Sequence, residues 1–367
     1  MLSRWAPRSS GPSWARMLQT LKASTTESSV WNAKAGAYEA YFSRLPKGSK
    51  PKLLPRDDPV IWTKGADRTK GPLNQEQLAF FEENGFVVVP GLLSPAEVEH
   101  TRNRMTKLRE HWEKELIEGR VVISGDQPVV TESGTNLLKS IWEVHKDDSP
   151  HLLDHAKFLN RLVRHPNLLR SAEQIVGKDV YIHQSRINYQ PRYHGSGFSW
   201  HQDFEQWHSE DGMPRPRCVS CSIMLDKNLS ENASTMMVPR SHNHFMQLVF
   251  TTPPKLWEIA LGPDAGKRSG PPVNHEHMEY LLKDYNVATM MGEPGNVLFF
   301  DALTLHGAYT NITPFDRMNL FFCYNHVSNT LNPDGPYHAP GPRPETIASR
   351  DPKWMGQALV EEPNLIQ

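Results

Sequence analysis

The chain of 367 residues has few cysteines, almost no charge imbalance and no long apolar run. Three cysteines exclude a disulfide framework and fit a reducing compartment. Cys218 and Cys221 form a C-x-x-C, but a zinc clip needs a second pair and only Cys323 remains. Arg217 to Leu225 also reads as a strand, where positions three apart face opposite sides. The thiols are therefore expected to be ordinary core or surface groups. A net charge of −1 and a pI near 7.0 remove the electrostatic case for nucleic acid or an acidic membrane as partner. No apolar run approaches the ~20 residues that span a bilayer. There is no internal repeat and no secretory apolar segment.

Proline (30), tryptophan (10) and histidine (17) are plentiful. Many prolines, short apolar runs and scattered aromatics suit a loop-rich β-barrel or sandwich better than a helical bundle. The N-terminal segment differs in kind. Arg4, Arg8, Arg16 and Lys22 all precede the first acid, Glu27, and serine is frequent. Trp14, Met17, Leu18 and Leu21 recur at helical spacing beside Arg16 and Lys22. That composition fits a mitochondrial transit peptide. It fits equally a basic tail with no targeting role, in which case the setting is cytoplasmic, and both readings stay open.

Residues 1–70 are expected to be a poorly ordered extension, with Lys47 to Arg56 rich in Lys and Pro and order beginning near Asn74. Residues 71–351 form the expected single domain and 352–367 a C-terminal tail. Asn74 can cap a helix over Gln75 to Glu83, stopped by Gly85, with a strand over Phe86 to Val89 next. Ser94, Pro95 and Glu97 form a second helix start, with the helix running to about Leu116. Residues 150–176 read as one or two helices stopped by Gly177. The chain then turns to β-structure. In Val180 to Tyr189, strict alternation puts Ile182, Gln184, Arg186 and Asn188 on one face, which would line a polar cavity or form a wet edge. Further strands are expected at 217–225, 234–238, 296–300 and 318–325, with an insertion at 253–284. Helices first and antiparallel strands after make an α+β chain whose strands close as a double-stranded β-helix, or jelly roll.

One segment carries the chemistry. His201 and Asp203 form an H-x-D pair among Phe198, Trp200, Phe204 and Trp207. H-x-D alone is a weak signal, and His145/Asp147 makes a second copy, but that one sits among charges with no strand pattern. A third ligand could come from His242, His244, His275, His277 or His306. Only His306 has an arginine, Arg317, entering the next strand at a neighbouring position, so that two antiparallel strands would bring both side chains into one barrel. Two histidines and one carboxylate bind Fe(II) on one face and leave the opposite face open. A 2-oxo acid fills two of the open positions and O2 the last, and its far carboxylate needs a planar two-pronged donor such as Arg317. The expected chemistry is hydroxylation of an unactivated C–H with release of succinate and CO2.

With those residues in view, the chain resembles the phytanoyl-CoA dioxygenase superfamily of Fe(II)/2-oxoglutarate oxygenases, and within it the ectoine 5-hydroxylases. The likeness rests on the run from Trp200 to Pro214, on His183 to Tyr189, on Asn311 to Phe315 and on Tyr324 and Asn325 with Val327 to Asn329, and covers about residues 70 to 351. The resemblance implies that His201, Asp203 and His306 bind iron and that Arg317 holds 2-oxoglutarate, with Arg186, Asn188 and Phe198 helping to place it. It implies that Gln184 and Trp207 touch a small zwitterionic substrate, with Gln206 beside them. A homodimer is one expectation for the assembly.

Three positions depart from that pattern. Gln202 replaces the usual Ser between two ligands, with its side chain expected to point away from the metal. Gln206 replaces Thr, and Ala308 stands where Ser often follows His-Gly. Gln206 keeps open a rival substrate, another small amino or imino acid such as a proline derivative. A catalytically silent barrel is disfavoured by the complete ligand set. Acyl-CoA hydroxylation is disfavoured by the lack of a basic cluster near the motif.

Overall fold

The protein is described by a computed structural model that covers residues 52–117, 129–131, 134–136, 150–193, 197–209, 211–247 and 286–332, with short pieces at 278–279, 282–283 and 348–349. Strand β1 (Lys52–Pro55) and a 3-10 turn (Gly65–Thr69) precede helix α1 (Gln75–Asn84). Asn74 accepts from the Gln77 backbone while Gln77 reaches back to the Asn74 N–H, a reciprocal cap that satisfies two orphan donors. Gly85 ends α1 at φ 82°, a left-handed conformation that a side chain would strain. β2 (Phe86–Val89) follows, then α2 (Pro95–Ile117), opened by the expected Ser94–Glu97 exchange. A small hairpin, β3 (Val129–Thr131) and β4 (Gly134–Asn136), comes before α3 (Pro150–Leu162) and α4 (Pro166–Val176).

The remaining strands build the barrel: β5 (Val180–Gln190), β6 (Phe198–His201), β7 (Cys218–Met224), β8 (Met236–Met237), β9 (His244–Gln247), β10 (Ala288–Thr289), β11 (Val297–Asp301), β12 (His306–Ala308) and β13 (Arg317–His326). A short helix, α5 (Asp203–Ser209), interrupts them after β6. A five-stranded sheet has the order β2-β11-β7-β13-β5, and a four-stranded sheet the order β10-β8-β12-β6. Their strand pairs are antiparallel, and the two sheets make the expected jelly roll.

Directly opposed residues share a sheet face, so the registers sort the large sheet into two surfaces. The outer one carries Val219, Cys221, Ile223, Leu320, Phe322 and Tyr324. Helix α4 packs on it, burying Leu168, Leu169, Ala172 and Ile175, and each of the Leu and Ile side chains stabilises the fold by about 1.5–3 kcal/mol. The Tyr324 hydroxyl donates to the Val163 carbonyl at 2.9 Å. The inner surface carries Leu298, Phe300, Ser220, Ser222, Asn319, Phe321, Cys323, Gln184, Arg186 and Asn188. Cys218, Cys221 and Cys323 are buried free thiols, and Cys218 and Cys221 face opposite ways on β7.

Three readings are corrected. Ordered structure begins before Asn74, because Lys52 to Pro55 pairs residue for residue with Gln247 to His244 of β9. Composition missed it because β1 is stabilised by a partner strand distant in sequence and by one buried ion pair, Arg56 with Asp301. Second, Ile182 leaves the Gln184 face. A bulge at His183 shifts the register so that Gln184 opposes Cys323 but Ile182 opposes Tyr324, on the outer surface. Third, His306 and Arg317 do not lie on neighbouring strands: β12 belongs to the four-stranded sheet and β13 to the five-stranded one. Strands β1, β6, β9, β10 and β12 were also not foreseen, since two to four residues carry too little alternation to read. Among the described residues no helix is long and apolar enough to cross a membrane. The N-terminal basic segment, His145/Asp147, His275 and His277 lie outside the described residues, as does most of the 253–284 insertion.

Candidate metal centre

Gly197 opens the local geometry. Its φ of +65° and the 2.4 Å that would separate an added Cβ from the Ala308 carbonyl oxygen admit only glycine, and β6 can then lie tightly against β12. Phe198 opposes Ala308, and His201 opposes His306. Immediately after His201 the strand stops and α5 begins at Asp203, with the Phe204 N–H tied to the Ala302 carbonyl at 2.9 Å. This strand-to-helix turn swings the carboxylate round to the two imidazoles.

The three side chains converge, with ligand atoms all within 4.8 Å of one another. The two imidazole rings are 4.2 Å apart, and their Nε2 atoms lie 3.5 Å (His201) and 3.9 Å (His306) from Asp203 Oδ1. Donors about 2.1 Å from a shared ion sit about 3 to 4 Å apart, so the spacing fits one metal. His306 Nδ1 is 2.9 Å from the Thr304 carbonyl, which can only accept, so Nδ1 carries the proton and Nε2 keeps its lone pair for the ion.

Burial opposes ionisation of Asp203, but the His306 and His201 imidazoles and the Arg186 guanidinium hold its carboxyl well below the usual carboxylate range. Burial, with His201 alongside, pushes His306 down to about 3, so its imidazole is neutral at pH 7. Both ligands thus stand in the protonation state that metal binding requires.

Around them, Ser220 Oγ donates to Asp203 Oδ2 at 3.4 Å and Arg186 Nη2 lies 3.7 Å from Oδ1. Arg186 stacks over the Phe321 ring at 4.1 Å and donates weakly to Gln184 at 3.4 Å. The Phe198 ring meets both imidazoles edge-on, at 5.6 and 5.9 Å, and Phe300 stands 5.0 Å from His306. These aromatic rings form a low-dielectric wall beside the two imidazoles.

Arg317 opens β13 opposite Gln190, fully buried. Burial pulls it down to about 10, still cationic at pH 7. The Asn319 amide oxygen, turned toward it, accepts from Nη1 at 3.2 Å, while Nε and Nη2 have no hydrogen-bond partner among the described residues. A buried cation with two orphan donors is costly unless an anion completes it.

Asn188 opposes Asn319 on the inner surface. Trp207 is 1% exposed and meets the His183 ring edge-on at 5.1 Å, and Gln206 is half-buried beside it on α5. His242 and His244 are not part of the metal group: His242 is buried against the end of α1, 3.2 Å from the Glu82 carbonyl, and His244 opens β9. Ser220, Phe300, Phe321 and His183 went unnoticed in the sequence. Ser220 and Ser222 did alternate with Val219, Cys221 and Ile223, a signal of a polar inner face that was available to read.

The family model for phytanoyl-CoA dioxygenase matches residues 81–319. The chain belongs to the phytanoyl-CoA dioxygenase family. Within this dioxygenase family it is 39% identical to the ectoine dioxygenase of Nocardia farcinica over 298 residues, which is 81% of this chain and 90% of that protein. It is 36% identical to the ectoine dioxygenase of Bordetella bronchiseptica, over 86% and 93% of the two chains. Its fold matches the crystal structure of EctD from S. alaskensis with 2-oxoglutarate and 5-hydroxyectoine, at a TM-score of 0.68 and 30% identity, covering 87% of this chain and 98% of that one. The iron-bound form of the same protein matches at a TM-score of 0.66 and 31% identity, over 89% and 99% of the two chains. The dioxygenase's own residues fit Fe(II) at His201, Asp203 and His306, and the orphaned Arg317 donors fit the distal carboxylate of 2-oxoglutarate.

Proposed function

We propose that the protein hydroxylates ectoine to 5-hydroxyectoine, using Fe(II), 2-oxoglutarate and O2 and releasing succinate and CO2. The observation that carries this reading is the pairing of a complete His201/Asp203/His306 ligand set with the buried, part-orphaned guanidinium of Arg317. The bound iron supplies the oxidising power that replaces an unactivated C–H with C–OH. The protein's side chains do the rest. Asp203 contributes the charge that offsets the cation, and Arg186 and Ser220 hold its carboxylate in place. Thr304 fixes the His306 tautomer. Arg317 anchors the far end of the co-substrate, with Asn188 and Phe198 beside its path. Phe198, Phe300 and Phe321 exclude water. Gln184, Gln206 and Trp207 face the substrate in this reading. Ectoine is a small zwitterion with a delocalised cation, which suits an aromatic wall.

The test is product formation by the purified full chain with Fe(II), 2-oxoglutarate and oxygen, with ectoine in one tube and proline in another, read by mass spectrometry. 5-Hydroxyectoine with matching succinate supports the reading. Substrate-dependent succinate with proline alone would move the substrate to the imino acids that Gln206 keeps open, and no turnover in either tube would sink both.

Two further readings belong here. The basic N-terminal segment is proposed as a mitochondrial transit peptide, to be tested by fusing residues 1–45 to a fluorescent protein. Diffuse cytoplasmic signal would reject it. A homodimer is proposed for the assembly, and a monomer mass by light scattering would reject that.

A further inference from the structure

The residue between the two clustered ligands has an unusual set of partners. Gln202 is 2% exposed, and its side-chain amide makes three hydrogen bonds to backbone groups far away in sequence. Nε2 donates to the His244 carbonyl at 2.7 Å and to the Leu303 carbonyl at 2.6 Å, and Oε1 accepts from the Met246 N–H at 2.8 Å. Both amide hydrogens and the oxygen are used. Leu303 belongs to the turn that delivers His306: its own N–H is held by Asp301 at 2.8 Å, and the next residue, Thr304, supplies the carbonyl that orients the His306 ring. His244 and Met246 lie on β9, which β1 backs along its whole length.

We infer that Gln202 is a positioning residue for the metal centre: its amide clamps the His201–Asp203 turn to the His306 turn across β9, and this sets the affinity for iron. The inference rests on the iron reading of the site. One side chain joins the two segments that supply all three ligands. A serine at this position would have one donor on a much shorter arm and could not span three backbone groups. Partners that orient metal ligands are worth about 10- to 100-fold in metal affinity, so the clamp belongs to the class of contacts whose loss registers at the metal.

The test uses the full chain and Gln202→Met, which keeps the length and volume of the side chain and removes its hydrogen bonds. Fe(II) is titrated anaerobically into each protein in competition with a coloured chelator. Circular dichroism of the metal-free proteins reports the fold, and the visible charge-transfer band on adding 2-oxoglutarate reports ligand geometry. The expected result is a native spectrum for Gln202→Met, an Fe(II) dissociation constant raised about 10-fold or more, and a shifted or weakened band. Wild-type Fe(II) affinity in folded Gln202→Met would overturn the inference, as would a lowered melting temperature with unchanged affinity and band, which is the mark of a purely structural residue. If Gln202→Met does not fold, Gln202→Ser carries the same measurement. Water can fill the space it leaves, and unchanged Fe(II) affinity there overturns the inference equally. Failure of the wild-type chain to bind Fe(II) would remove the iron reading and the clamp together. Iron binding without ectoine turnover would remove only the substrate reading.

Discussion

Arg56 and Asp301 form a 2.8 Å ion pair between side chains that are 1% and 2% exposed. Arg56 also donates to the Asp58 and Pro59 carbonyls, and Asp301 closes the strand that leads into the His306 turn. The N-terminal strand is thus fastened to the segment that carries a metal ligand. Removing one partner of such a pair leaves a buried charge, so Arg56→Met is expected to destabilise the metal-free protein by about 3–5 kcal/mol. The double variant Arg56→Met/Asp301→Asn should recover part of that. Urea unfolding measures both, and a loss below about 1 kcal/mol would show that the pair is not supporting the fold.

His306→Ala removes one of three ligands. Iron-dependent turnover should be abolished and Fe(II) binding reduced to background, while His244→Ala retains the iron site. Full activity in His306→Ala would mean that another histidine completes the metal set.

Arg317→Met removes the buried cation proposed to hold the distal carboxylate. The KM for 2-oxoglutarate should rise about 100-fold or more, because truncating one side of a buried charged pair costs roughly 2–5 kcal/mol. Arg317→Lys keeps the charge but not the planar fork and should fall between. An unchanged KM in steady-state kinetics would take Arg317 out of the co-substrate site.

Burial, reinforced by Arg56, pushes His242 down to about 3, against roughly 6.5 in an unfolded chain. Between those values the unfolded chain binds a proton that the folded one does not. The associated stability is therefore complete above about pH 6.5 and is lost as pH falls toward 3, at up to about 1.4 kcal/mol per pH unit. His306 acts in the same direction in the metal-free protein. His242→Gln should flatten the dependence by one proton's worth, whatever it does to stability at pH 7. Urea midpoints from pH 7 to pH 4 with an unaltered slope would contradict this.

His183 meets the Trp207 ring edge-on and lies 3.5 Å from Asp211. Its bulge aims the imidazole at Trp207, so His183→Leu should raise the KM for ectoine about 10-fold and leave the KM for 2-oxoglutarate unchanged. Equal changes in both constants would assign His183 to the fold instead.

The legible parts of this protein were local or chemical. Asn74 with Gln77, Gly85, and Ser94 with Glu97 set helix ends through contacts three or four residues apart, and the sequence carries those contacts in full view. His201, Asp203 and His306 were readable because iron accepts few donor types and because aromatic residues crowd the first pair. Arg317 was legible as an arginine entering a strand, whereas its place in the five-stranded sheet, apart from the sheet that carries His306, was not.

What the sequence by itself determined is therefore the ligand types, the caps, the alternating faces of the long strands and the family likeness. Tertiary structure alone decided the rest: that Lys52 to Pro55 pairs with β9, that a bulge at His183 turns Ile182 off the inner face, and that Gln202 spans His244, Met246 and Leu303. Each depends on partners brought together from distant parts of the chain. A two- to four-residue strand or a single amide has no periodicity of its own, and its conformation is stabilised only once the barrel has closed around it.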